Sequence, residues 1–253
     1  MPFGQIEALP HLGVQIAYER IEGAEPTFVW LGGFKSDMSG TKAQTLAAWA
    51  KQEGQAFVRF DYSGHGQSGG VFEDGSISRW LGDTLAVFDG LTEGPLVLVG
   101  SSMGGWLALR AAQERPERVV ALLLIAPAAD FTERLMWPGF SPAQRERLMA
   151  DGRLELPSAY AAEPTVITRA MIEDGRRNLV MGGPIGFGGP VRILAGAKDP
   201  DVPLTHVQDL AKLLHGKDRQ FRVVTHGDHR LSSPEALDML LDFASELRTT
   251  LAR

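Results

Sequence analysis

A chain of 253 residues with 44% hydrophobic composition can bury one large core, and α/β architectures of this size commonly form a single domain. A formal net charge of −6 offers no basic patch to phosphates, which argues against nucleic acid or an anionic membrane surface as the main partner. There is no cysteine, so disulfides, thiolate metal sites and a cysteine nucleophile are excluded.

In chain order, the N-terminal stretch MPFGQIEALPHLG has no basic segment followed by an apolar run. No window approaches the roughly 18 apolar residues of a membrane helix, so a soluble, cytoplasmic protein without a membrane span is expected. Apolar runs at 27–31, 56–60, 96–99, 119–125, 191–195 and 221–224 predict buried strands. Helical spacing fills 42–52, 78–91, 103–113, 204–214 and 234–251 between and after them. This alternation predicts an α/β fold with a mainly parallel sheet flanked by helices. It breaks across 131–189, a stretch with several prolines and helical patterns at 142–150 and 165–174. The expected layout is a core of 1–130 and 190–253 carrying a helical cap at 131–189, with GGPIGFGGP as the return hinge.

The strand at 96–99 runs into Gly100, Ser101, Ser102, Met103 and Gly104, and helical spacing follows at once. This is a GxSxG element between strand and helix, in which the flanking glycines permit a sharp turn that exposes Ser102 at the top of the sheet, as in an α/β-hydrolase fold. A serine hydroxyl is a weak nucleophile at neutral pH and needs a histidine base oriented by a carboxylate. On such a sheet the chain order is serine, acid, histidine. Asp199 follows the next-to-last strand, and His229 follows the last one in THGDH. Asp201 rivals Asp199 but precedes Val202 and Pro203, where a turn into a helix begins. His226 rivals His229, although Gly227 gives the latter a flexible turn, and Asp130 is a third candidate acid.

Acyl chemistry also needs donors for an oxyanion, and the expected ones are the backbone N–H groups of Met103 and of Phe34, in the loop after strand 27–31. Trp106, Met136, Trp137 and Phe140 are candidate lining residues for an acyl pocket. The segment Gly64 to Gly69 spells GxGxxG, yet helical spacing resumes only near Ser78, so phosphates would lack a helix terminus; with Asp61 it reads as a structural turn. His11, His65, His206 and His215 are expected on solvated loops or helix faces. No metal and no cofactor is called for by this constellation.

FDYSGHGQSGG, GSSMGGW, GAKDPDVP and GDHR, together with GGFKSDMSGTKA, resemble the palmitoyl-protein thioesterase and acyl-glucuronide esterase family of α/β-hydrolase-domain proteins. The resemblance implies Ser102 as nucleophile, Asp199 as acid and His229 as base, and a small-molecule or acyl-protein ester or thioester as substrate. The triad alone also suits C–C bond hydrolysis or peptide cleavage, and the fold could be kept by a non-catalytic ligand-binding protein.

Overall fold

The computed structural model describes residues 5–157 and 164–252. Its centre is an eight-stranded sheet. In chain order the strands are β1 (Glu7–His11), β2 (Val14–Ile21), β3 (Ala24–Leu31), β4 (Gln55–Phe60), β5 (Leu96–Ser101) and β6 (Val119–Ile125). Past an insertion holding β7 (Arg153–Leu156), β8 (Thr165–Thr168) and β9 (Ile185–Gly186) come β10 (Val191–Gly196), a short β11 (Leu214–His215) and β12 (Arg219–Val224). The order across the sheet is β1-β2-β4-β3-β5-β6-β10-β12, antiparallel at β1 and β2 and parallel from β4 onward. The predicted strands are all present. The hairpin β1–β2 lay outside the sequence reading because it is an edge element with mixed polarity rather than an unbroken apolar run.

Successive side chains of a buried strand point to opposite faces, and each face here has its own core. Val29, Leu31, Leu98 and Leu122 lie in one cluster with α2 (Ile77–Leu91), α3 (Met103–Glu114) and α7 (Leu204–Leu213). Phe28, Trp30, Val97 and Leu123 lie in the other with α1 (Thr41–Glu53) and α8 (Pro234–Leu251). The chain runs from β3 to β4 on one side and then to β5 on the other, so the strand order reverses between β3 and β5. The crevice at such a switch point, above the carboxyl ends of the strands, is where ligands bind in open α/β sheets.

The segment between β6 and β10 stands apart from the main sheet. It comprises a π turn at Thr132–Met136, then α4 (Trp137–Gly139), α5 (Pro142–Asp151), the antiparallel pair β7 and β8, and α6 (Arg169–Arg177). The insertion is thus mixed rather than purely helical. A helix expected over 165–174 starts only at Arg169, because Thr165, Val166, Ile167 and Thr168 are all β-branched and stay extended, with the Thr168 side chain capping the helix. Two buried carboxylates tie this insertion to the core. Asp130 accepts from the N–H groups of Val180 and Met181, each at 2.8 Å. Asp174 accepts from the Ser78 N–H at 2.7 Å and hydroxyl at 2.8 Å, at the start of α2. Asp174→Ala should therefore lower stability by about 1 to 2 kcal/mol, since the exposed Ser78 can turn to water while the buried Asn178 amide loses an acceptor. Urea unfolding checks this. Limited proteolysis should show faster cleavage within the insertion than in the sheet core.

Candidate active site

Ser102 is the hinge between β5 and α3, with φ 55° and ψ −119°. A non-glycine residue in this region bears strain of about 1–2 kcal/mol and persists only when its surroundings hold it. Its N–H donates to the Ile125 carbonyl at 2.9 Å, and its own carbonyl accepts from Gly105 at 2.9 Å and Ala128 at 3.0 Å. The hydroxyl is thereby raised above the sheet edge. Gly33, in the turn after β3, lies close beside it: a Cβ there would lie 3.3 Å from the Ser102 Cβ.

The loops after β10 and β12 meet beside it. Lys198 donates its N–H to the Gly227 carbonyl at 2.9 Å and Ala197 to that of Val224 at 3.0 Å, so the two loops move as one. They bring Asp199 Oδ2 to 2.8 Å from His229 Nδ1, and His229 Nε2 to 3.0 Å from the Ser102 hydroxyl. The other oxygen of Asp199 accepts from the N–H of Asp201 at 2.9 Å and of Val202 at 2.8 Å. Asp199 is 8% exposed, so little water competes for it. The rival candidates fall elsewhere. Asp130 spends both oxygens on the insertion, and His226 is exposed and absent from the line of bonds. Asp201 stays close, its carboxylate within 4.8 Å of donor atoms on Asp199 and His229. That spacing could hold a cation, but both ring nitrogens of His229 are already engaged with Ser102 and Asp199.

The N–H of Met103 opens α3, where no carbonyl lies a turn behind to receive it. The N–H of Phe34 sits in the turn after β3. Among the described residues neither amide has an acceptor. A cavity of about 650 Å³ opens over Ser102. Its apolar wall includes Trp30, Ala128, Phe131, Leu135, Met136 and Val202, and Lys35, Lys42 and Arg230 add charge.

Of the four candidate pocket residues only Met136 reaches this cavity. Trp106, on α3, is fully buried, donating to the Asn178 carbonyl at 2.9 Å and packing against Phe131, so its ring is covered by the insertion and stands behind Phe131 rather than on the cavity wall. Trp137 lies between the guanidinium groups of Arg145 and Arg176, 5.3 and 4.6 Å from its ring centre. Phe140 packs on Trp137 and is buried. Phe131 and Leu135 hold the positions those aromatics were expected to take. Their spacing of one helical turn, with Met136 beside them, was the available signal.

Two electrostatic features border the site. Burial pushes the Lys42 ammonium down to about 8 against the opposing pull of Asp228. Its Nζ donates to the Arg230 carbonyl, bracing α1 against the His229 loop. His65 and His206, expected in solvent, are buried instead, and burial drives His65 down to about 4. The glycine segment that includes His65 turns around Asp61, whose oxygens accept from Met38 N–H at 2.6 Å and Gln67 N–H at 2.8 Å.

The family described as serine aminopeptidase, S33, matches residues 27–170. The mitochondrial palmitoyl-protein thioesterase ABHD10 of Rattus norvegicus is 35% identical over 227 residues, 89% of this chain and 76% of its own length. Among solved structures, a protein from Agrobacterium vitis S4 described as a hydrolase is 44% identical with a TM-score of 0.92, covering 96% of this chain and 98% of its own. ABHD10 from mouse superposes with a TM-score of 0.90 at 32% identity, covering 98% and 100%. Est1E from Butyrivibrio proteoclasticus, 20% identical with a TM-score of 0.82 over 98% and 100%, shares the fold alone.

Proposed function

From the premise that the chain belongs to the α/β-hydrolase family described as serine aminopeptidase, S33, and is a relative of the ABHD10 thioesterases, we propose that it hydrolyses carboxylic esters or thioesters through an acyl-enzyme on Ser102. The observation that carries this reading is the unbroken line Asp199, His229, Ser102 at 2.8 and 3.0 Å beneath a largely apolar cavity. His229 Nε2 takes the hydroxyl proton as Oγ attacks the acyl carbon, and the N–H groups of Met103 and Phe34 donate to the oxygen that becomes negative. Collapse expels the alcohol or thiol, which takes the proton from His229 Nε2 as it leaves. A water that gives its proton to His229 then attacks the acyl carbon, and the acid leaves with Ser102 restored. Asp199 fixes the tautomer with the proton on Nδ1 and stabilises the imidazolium. The apolar wall from Phe131 to Met136 suits an acyl chain, as the name of the ABHD10 relatives suggests.

The matched family's description favours one second reading, an aminopeptidase. A palmitoyl thioester, an ester of the same acid and an aminoacyl anilide, assayed side by side, separate the two. The thioester or ester should be turned over fastest, and preference for the anilide would overturn the esterase reading. A fluorophosphonate probe should mark Ser102 by mass spectrometry; a label absent from that residue would sink the acyl-enzyme.

A further inference from the structure

The sequence GHGQSG has no part in the chemistry described so far, yet it lies against the loop that carries Phe34. The turn Gly33 to Ser36 is closed by the Ser36 N–H donating to the Gly33 carbonyl at 3.1 Å. Its third residue, Lys35, has φ 56°. That place normally goes to glycine, and a lysine stays there only if something holds it. The N–H of Lys35 donates to His65 Nε2 at 3.2 Å. On the other side of the ring, Nδ1 faces the Ser63 carbonyl at 3.3 Å, so the proton resides on Nδ1 and Nε2 offers a lone pair.

The ring is itself fixed. It is 3% exposed and boxed by Tyr62, Phe72 and Trp80, with ring centres 5.2 to 5.6 Å away. Phe72 and Trp80 also pack on Phe34, at 5.0 and 6.0 Å. Downstream, Asp61 holds the Met38 N–H and Arg59 donates to the Met38 carbonyl at 2.8 Å. The centre and the downstream end of the loop are thus held by polar side chains of one segment.

We propose that His65 is a positioning residue for the oxyanion donor: by accepting the Lys35 N–H it holds the central peptide of the Gly33–Ser36 turn, and so keeps the Phe34 N–H aimed over Ser102. With that acceptor gone, the Phe34–Lys35 peptide is free to rotate and let Lys35 fall to negative φ, carrying Phe34 with it. The role requires a neutral ring, and burial supplies one, since His65 is held near 4 against the weaker opposing effect of the Ser63 carbonyl. The inference rests on the hydrolase reading for its kinetic consequence but not for the hydrogen bond itself.

Three variants and two readouts test it. A glutamine amide oxygen reaches about as far as Nε2 and an asparagine oxygen only about as far as Nδ1. His65→Gln should therefore retain most activity, while His65→Asn and His65→Leu lose about 10- to 100-fold in kcat, less than the roughly 10²- to 10³-fold of deleting a donor outright. KM should move less than about threefold, because the loss falls on the transition state. Amide exchange at Lys35, followed by NMR, should quicken in the Asn and Leu variants and stay slow in the Gln variant. Full activity in His65→Leu, or Gln and Asn variants equally impaired, would overturn the proposal, and if His65→Leu does not fold the Gln and Asn pair carries the test. If the wild-type protein hydrolyses neither ester nor thioester, the hydrolase reading falls while exchange at Lys35 still decides whether His65 holds the turn.

Discussion

Replacing Asp199 by asparagine should lower kcat on a chromogenic ester by about 10⁴-fold, whereas Asp201→Asn should lose less than about tenfold. The asymmetry follows from what each oxygen does. Asp199 Oδ1 receives two backbone N–H groups, which leaves only Oδ2 to face His229. In Asp199→Asn those two donors keep the amide oxygen on their side and turn the NH₂ toward His229 Nδ1. That nitrogen must then accept, the ring proton moves to Nε2, and the base can no longer take the Ser102 proton. Asp201 supplies a second negative charge within 4.8 Å but is more open to water, so its field on an imidazolium is screened. Steady-state kinetics decide the matter, with urea unfolding of both variants to show that the fold survives. Equal losses in the two would mean that Asp199 does not act alone, and a larger loss in Asp201→Asn would move the acid to Asp201.

The strands and helices of the core could be read from the chain because buried parallel strands are unbroken apolar runs, and because GxSxG marks a change from strand to helix that needs small residues on both sides. Asp199 and His229 could be found from their place after successive strands. What the chain does not display is orientation within a helix start. Trp106 lies one helical turn after Ser102, yet its ring is taken up by the Asn178 carbonyl and Phe131, partners that the insertion brings from far along the chain. The burial of His65 was hidden for a different reason. It depends on Phe72 and Trp80, which belong to separate elements and close over the ring only when α2 packs down. Extended backbone at Thr165–Thr168 was also obscured, because a short run of β-branched residues leading straight into a helix carries no boundary of its own.

The last prediction sets helix propensity against close approach. Alanine exceeds glycine in a helix interior by about 1 kcal/mol; Gly82 lies inside α2, and Gly104 is the second residue of α3. At Gly82 a new methyl would meet nothing nearer than His11 Nε2 at 3.7 Å, an ordinary contact. Gly82→Ala should therefore stabilise the protein by about 0.5 to 1 kcal/mol. At Gly104 the methyl would lie 2.0 Å from the Leu31 carbonyl oxygen and 2.6 Å from that of Gly32. Both are backbone atoms at the end of β3, so no side chain can swing aside. Relief requires α3 to lift away from the sheet. Overpacking of even mobile side chains commonly costs about 1–3 kcal/mol, so a backbone collision at this distance should exceed that range and outweigh the propensity gain. Gly104→Ala is expected to lose more than about 3 kcal/mol, and any folded fraction should react slowly with a fluorophosphonate, because lifting α3 moves Ser102 and the Met103 N–H together. Urea midpoints at unchanged slope measure both substitutions. A wild-type midpoint for Gly104→Ala would mean that α3 does not approach β3 as closely as described, and the geometry that raises Ser102 would fail with it.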